Sequence, residues 1–142
     1  MANGKFVLKN ALLSVNSVDL SDHVNQVAMD MPTDEVELSG MGANYKVFGR
    51  GLSDASMTVT FLQDFAAASV DATLWPLSNT GNTFPVAVRA FNAAISATNP
   101  EYQMTALLYN YAPISGSLGE AASSEVVFRN AASTGIVADI TP

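Results

Sequence analysis

The strongest constraint in this sequence is a period of two. Apolar residues recur at alternate positions in one short segment after another: Val27, Met29 and Met31; Met57, Val59 and Phe61; Phe84, Val86 and Val88; Val126 and Phe128; Ile136, Ala138 and Ile140. Successive side chains on a strand point to opposite faces, so each segment offers one face to a core. Turn-forming stretches such as "SNTGN" and "PISGSLGE" separate the segments. Short alternating strands between turn signals specify a sandwich or barrel of antiparallel strands. The expected fold is therefore mainly β, two packed antiparallel sheets in one domain over residues 1–142, with one short flanking helix and a long hairpin-like loop.

One segment departs from simple alternation. "NPEYQMTALLYNYAP" places Tyr102, Met104, Ala106 and Leu108 in one row, yet its other row also turns apolar at Leu107, Tyr109 and Tyr111. Such a strand requires cover on both faces. Leu107, Tyr109 and Tyr111 are therefore expected to lie under the chain's own helix or against a neighbouring subunit.

The helix is expected at "SVDATLWPL", residues 69–77. Ser69 suits an N-cap and Asp71 the positive end of the helix dipole. Val70, Leu74 and Leu77 form one apolar stripe. Pro76 is expected to end or kink the helix near Trp75. Residues 32–54 form a loop longer than compact domains usually leave without a role. Gly40, Gly42 and Asn44 mark a hairpin tip between an acidic arm (Asp34, Glu35, Glu37) and a basic one (Lys46, Arg50). Centred near Gly42, the hairpin sets Asp34 opposite Arg50 and Leu38 opposite Lys46. Those charges either pair across the hairpin or reach the complementary arm of another copy.

Composition excludes several classes. Charged residues are 13% of the chain, against roughly 25% in an average soluble domain, while 49% are hydrophobic. So neutral a surface suits assembly. Thirteen acids against six bases give a net charge of −7, and the bases are scattered, so a basic nucleic-acid stripe is missing. No apolar run approaches the roughly 20 residues that span a bilayer, so membrane insertion is not expected. "MANGKFVLKN" lacks the features of a signal peptide. With no cysteine, disulfides and thiolate metal sites are excluded.

Catalytic patterns find no support. Ser21, Asp22 and His23 are the residue types of a hydrolase triad, but consecutive neighbours cannot assemble as nucleophile, base and orienting acid. They read as surface or turn residues. His23 is the sole histidine, which leaves a zinc site mostly to carboxylates. "SGMGANYK" and "GRGLSD" fit neither phosphate-binding glycine pattern. Asp30, Asp34, Glu35 and Glu37 lack the spacing of a calcium loop. Neither an enzyme nor a cofactor is expected.

The order of the segments resembles a known family, the major tail tube proteins of long-tailed bacteriophages with non-contractile tails. "VDLSDHVNQVAMD" resembles its first strand and turn, and "GMGANYKVFGRGLSDASMTVTFLQDF" its long-loop tip and following strand. "SVDATLWPL" resembles its helix, and "SATNPEYQMTALLYNYAPISGSLGEAASSEVVF" its closing strands and their link. The resemblance implies a virion structural protein, made in the host cytoplasm, whose hexameric rings stack into the tail tube. The tube would be a conduit for genome ejection and would meet tail tip and tail terminator proteins at its ends. The tape measure protein, and then DNA, would occupy the lumen without stable binding. The 32–54 loop would touch the next ring, with Glu37, Lys46 and Arg50 the favoured contacts. Asp30, Glu125 and Asp139, on strand polar faces, are the candidates to face the lumen. Residues 1–10 would form an N-terminal arm, with Phe6, Val7 and Leu8 as its apolar part. The family's extra C-terminal immunoglobulin-like domain is not expected. Two other readings stay open: the inner tube of a contractile tail or type VI secretion machine, and a stand-alone β-sandwich module that binds a ligand on an aromatic platform at Tyr109 and Tyr111.

Overall fold

A computed structural model describes residues 7–141. Ten strands, one helix and one 3-10 turn follow in chain order: β1 (Leu12–Val15), β2 (Val18–Asp19), the turn Ser21–His23, β3 (Val24–Asp30), β4 (Thr33–Glu37), β5 (Phe48–Ser53), β6 (Ser56–Leu62), α1 (Val70–Thr80), β7 (Phe84–Arg89), β8 (Glu101–Tyr109), β9 (Ser123–Asn130) and β10 (Val137–Asp139). The protein is mainly β, with one large antiparallel sheet and a small second one. The eight-stranded sheet has the order β2-β1-β7-β8-β9-β6-β3, with β10 added beside β8; β4 and β5 make the two-stranded sheet.

The two sheets are unequal in role. β4 and β5 are the long hairpin itself, so the core lies inside the large sheet rather than between two sheets of similar size. Topology explains why that sheet must roll. β2 and β3 are its two edges, yet only the turn Ser21–His23 and Leu20 separate them. Asp19 and Val24 can be at most about 19 Å apart, at roughly 3.8 Å per residue. Seven flat strands would hold the two edges about 29 Å apart, at roughly 4.8 Å per spacing. The sheet therefore curls until its edges face each other. Along β3 runs a seam, a cleft of about 320 Å³ lined by residues 8–11, just ahead of β1, on one side and by Ser21, Asp22 and residues 24–27 on the other.

Inside the roll, the alternating rows form the core: Leu13 and Val15, Met57, Val59 and Phe61, Phe84, Val86 and Val88, Met104 and Ala106, Val126 and Phe128. Phe84 and Phe128 meet edge to face, with ring centroids 5.8 Å apart. The expected row at the C-terminus is only partly realised. Ile136 packs against the core, but β10 spans only Val137–Asp139, and Ala138 and Ile140 are exposed.

Helix α1 closes the roll with Val70, Leu74 and Leu77, all buried. It runs past residue 77 and through Pro76, where the sequence expects it to end or kink. Pro76 offers no N–H to the carbonyl of Ala72. Leu74 and Leu77, buried on either side of it, hold the helix on the core across that missing bond. The stop comes at Gly81, in the left-handed region at φ 70°, where its N–H bonds the Leu77 carbonyl at 3.2 Å. Of the N-terminal arm, residues 1–6 lie outside the described residues, and Val7 and Leu8 are exposed.

Phe128→Ala removes a fully buried ring at the centre of this core, and should lower unfolding stability by about 3–5 kcal/mol. Urea denaturation should show it as a lower midpoint at unchanged slope.

Candidate assembly surfaces

The β4–β5 hairpin leaves the roll after Asp30 and returns at Ser56. A two-stranded ribbon is marginal in water on its own, and this one exposes apolar side chains along its length. Met41 is fully exposed, Tyr45 is 86% exposed and Leu52 84% exposed, and Val36, Leu38, Val47 and Phe48 are more exposed than buried or close to it. Large apolar side chains exposed in this number on both faces and at the tip of one small ribbon make it a candidate interaction element.

Its register differs from the expected one. Arg50 lies opposite Glu35, Gly49 opposite Val36 and Phe48 opposite Glu37, and Leu38 N–H bonds the Val47 carbonyl at 2.7 Å. Asp34 is therefore not opposite Arg50, and Leu38 is not opposite Lys46. The arms pair about a centre between Gly42 and Ala43 rather than at Gly42, and an irregularity between Thr33 and Glu35 shifts the base of the hairpin by one further residue. The alternate glycines of "FGRGL" carried the missing signal. A Cβ on Gly49 would lie 2.8 Å from Leu38 Cδ1, and one on Gly51 would lie 3.0 Å from Asp34 Cβ and 3.1 Å from Val36 Cγ2. Asp34, Val36 and Leu38 thus lie flat over the two glycines on one face. The opposite face carries Glu35, Glu37, Phe48 and Arg50.

Glu37, Lys46 and Arg50 are all exposed on this hairpin, but they do not pair with one another. Arg50 donates to Thr33 Oγ1 at 3.0 Å. Among the described residues, neither Lys46 nor Arg50 has a carboxylate within ion-pair distance.

The second surface is the outer face of the large sheet. Its register aligns Gln26 with Thr60 and Glu125, Ala28 with Thr58, Val127 and Tyr109, and Asp30 with Ser56, Arg129 and Leu107. Asp139 joins the same face opposite Glu101. Asp30, Glu125 and Asp139 therefore share one face, and they share it with Leu107 and Tyr109. The arginines of this face are already paired: Arg89 with Glu101 at 2.6 Å and Arg129 with Asp54 at 2.9 Å. Asp30, Glu125 and Asp139 form no ion pair among the described residues, though Asp139 lies within the field of Arg89. Bonds from the Thr141 N–H and hydroxyl, both at 3.0 Å, hold the Asp139 carboxyl below its ordinary range.

Tyr111 does not share that face with Tyr109. β8 ends at Tyr109, which is 53% exposed, and Asn110 takes φ 57°. That left-handed step reverses the alternation and turns Tyr111 inward to α1. Its hydroxyl donates to Asp71 Oδ1 at 2.8 Å and accepts from Gln63 Nε2 at 3.2 Å. Burial, ahead of the neighbouring Asp71 carboxylate, pushes the phenol up to about 12. The aromatic platform expected of a ligand-binding module is thus divided between two faces.

Ser21, Asp22 and His23 form the 3-10 turn, and His23 finds its partners far along the chain. His23 Nε2 lies 2.8 Å from Asp64 Oδ2 and 3.2 Å from Ser69 Oγ. A hydrolase triad needs the acid and the nucleophile on different ring nitrogens. Here both meet Nε2, while Nδ1 is buried without a partner. The cluster is a tether that binds the β2–β3 turn to the start of α1. Ser69 occupies the N-cap position but makes no side-chain cap bond; its hydroxyl serves this tether instead. The Ala66 N–H first, then Ser69 and His23, hold the Asp64 carboxyl below its ordinary range. Among the described residues, no group of His, Asp and Glu is gathered to hold a metal ion, and no helix is long and apolar enough to cross a membrane.

This fold recurs in solved assemblies. The protein is similar to a chain in the tail of an empty gene transfer agent (GTA) particle with C6 symmetry, at TM-score 0.65 and 14% identity, covering 84% of this chain and 83% of that one. Similarity to a chain in the virion of a native GTA particle reaches TM-score 0.71 at 12% identity, over 94% and 96% of the two chains. A chain of the sheath–tube complex of an extracellular contractile injection system (PVC), in its extended state, gives TM-score 0.68 at 12% identity, over 96% and 93%. No protein-family model matches the sequence, and no curated protein matches it.

The Tyr111 tie makes a prediction with a definite sign. A folded phenol pKa above the ordinary 10.0 favours the neutral form, so its contribution is complete below pH 10 and is lost as pH rises toward about 12. Thermal unfolding should show an alkaline loss of stability in that window for the native protein. Tyr111→Phe should shrink it and cost about 0.5–1.5 kcal/mol at neutral pH.

Proposed function

We propose that this protein is the structural subunit of a tail tube, in which copies close into six-membered rings and the rings stack around a lumen. The observation that carries this reading is the likeness of its fold, over most of the chain, to chains of a C6-symmetric particle tail and of a sheath–tube complex. Physical features of the chain support it. An exposed apolar ribbon with two uncompensated cations needs a partner, and a second copy is the partner always available. The hairpin joins stacked rings, with Glu37, Lys46 and Arg50 at the contact and Glu35 beside Arg50. The outer face of the large sheet lines the lumen, with Asp30, Glu125 and Asp139 as its unpaired charges. Each phosphate that a surface neutralises adds affinity by releasing counterions. A lining whose free charges are negative lets DNA, and the tape measure protein before it, pass without stable binding. Leu107 and Tyr109, at the β8 margin of the same face, lie where a neighbour in the ring would cover them.

A second reading has its own support. The similarity to the sheath–tube complex matches that to the GTA chains, so the inner tube of a contractile machine stands beside the tube of a non-contractile phage tail. In the non-contractile case the tube would meet tail tip and terminator proteins at its ends and act in the virion as the conduit for genome ejection. In the contractile case it would recruit a sheath. No catalytic role belongs to either reading.

Negative-stain electron microscopy of the concentrated protein tests the proposal. Hollow rings or tubes of uniform width are expected, with sixfold class averages in end view. Small particles that stay single even beside preformed tail tips would overturn it. Lys46→Glu with Arg50→Glu should leave thermal stability within about 0.5 kcal/mol, as for exposed sites. The same pair of substitutions should shorten the tubes.

A further inference from the structure

Residues 38–47 at the hairpin tip and residues 113–122 between β8 and β9 stand at opposite ends of the same paired strands. The hairpin leaves where Asp30, Ser56 and Arg129 lie side by side. The link lies at the far end, where Leu62 pairs with Ser123 and the Gln63 N–H bonds the Ala122 carbonyl at 2.9 Å. A further bond runs from Gln63 Nε2 to the Pro113 carbonyl at 2.5 Å.

The two segments match in chemistry. The tip exposes Met41 and Tyr45 and carries one charge, Lys46. The link exposes Ile114, at 87%, and a fully exposed Leu118, with Phe65 exposed on the segment after β6, and it too carries one charge, Glu120. Neither Lys46 nor Glu120 has an ion-pair partner among the described residues. An apolar surface with a lone cation at one end of a subunit, and an apolar surface with a lone anion at the other, is the arrangement of a heterologous contact. Such contacts repeat head to tail without closing.

We infer that the β8–β9 link, with Ile114, Leu118 and Glu120, is the surface that receives the hairpin tip of a second copy stacked on it, Lys46 meeting Glu120. This rests on the tube reading and identifies the receiving half of the contact between rings. The tip can seat without disturbing the core, because the link's exposed side chains belong to no strand and Gln63 fixes its two ends.

The chain has no cysteine, so engineered thiols report without background. The variant carrying both Met41→Cys and Leu118→Cys should, on mild oxidation, give a ladder of covalent multimers on a non-reducing gel. Each single variant should stop at dimers. Tubes formed by the native protein, together with an oxidised double variant that stays monomeric, would overturn the inference and leave the tube reading standing. Neither tubes nor a ladder would overturn both. As an independent arm, Lys46→Glu and Glu120→Lys should each deplete tubes, and the two together should restore them. No restoration in the paired variant would also overturn the inference.

Discussion

The rest of the structure depends on a very short connection. Leu20 and the turn Ser21–His23 join β2 at one edge of the large sheet to β3 at the other, and a chain that short cannot bridge a flat sheet. Rolling creates an enclosed side for Met57, Val59, Phe61, Val126 and Phe128, and it creates an outer side that the core does not use. The tether of His23 to Asp64 and Ser69 holds that connection against the start of α1. The same few residues thus set both the curvature of the sheet and the position of its lid.

Each surface then has a distinct character. The inner face is apolar and closed by α1. The outer face is lined with small hydroxyl and amide side chains, Ser56, Thr58, Thr60, Gln26 and Gln103, and grows apolar only toward Val127, Leu107 and Tyr109. The hairpin is the reverse of a stable surface element, with apolar residues outside and glycines where bulk would be expected. Its charges, Asp34, Glu35, Glu37, Lys46 and Arg50, stand among those exposed apolar side chains without forming ion pairs among the described residues. The exposed ribbon and the low charge of the chain as a whole are features on which the proposed assembly with further copies rests.

Much of this was legible in the sequence, and what was not has particular causes. A buried row on a strand announces itself by its period, so Met57 to Phe61 and Phe84 to Val88 were found without ambiguity. The end of α1 was not, because Leu77 is buried and its packing overrides the local rule for Pro76. Tyr111 was assigned to the wrong face because one backbone angle, at Asn110, inverts the alternation, and no neighbouring residue signals it. The hairpin pairing was displaced because its turn centres between Gly42 and Ala43 rather than at Gly42. Even so, the spacing of Gly49 and Gly51 already recorded which residues lie above them. His23 could not be matched to Asp64 and Ser69 from sequence, since tertiary structure alone brings them together. The charged candidates were identifiable as residues, whereas their common face followed only from the register of β3, β6, β9 and β10.

The seam gives this subunit a mechanical property. β3 is hydrogen-bonded to β6 on one side and faces the cleft on the other, closed at one end by the bonds between Leu13 and Ser21, so the sheet yields to shear more readily along that line than across its ladders. A closed barrel is stiff because any change of girth breaks a ladder of hydrogen bonds. A rolled sheet with an unlaced margin can widen or narrow by sliding side chains across a gap. In the proposed tube, such margins would let the filament bend by small local adjustments, and every ladder of bonds within each subunit would survive the bend.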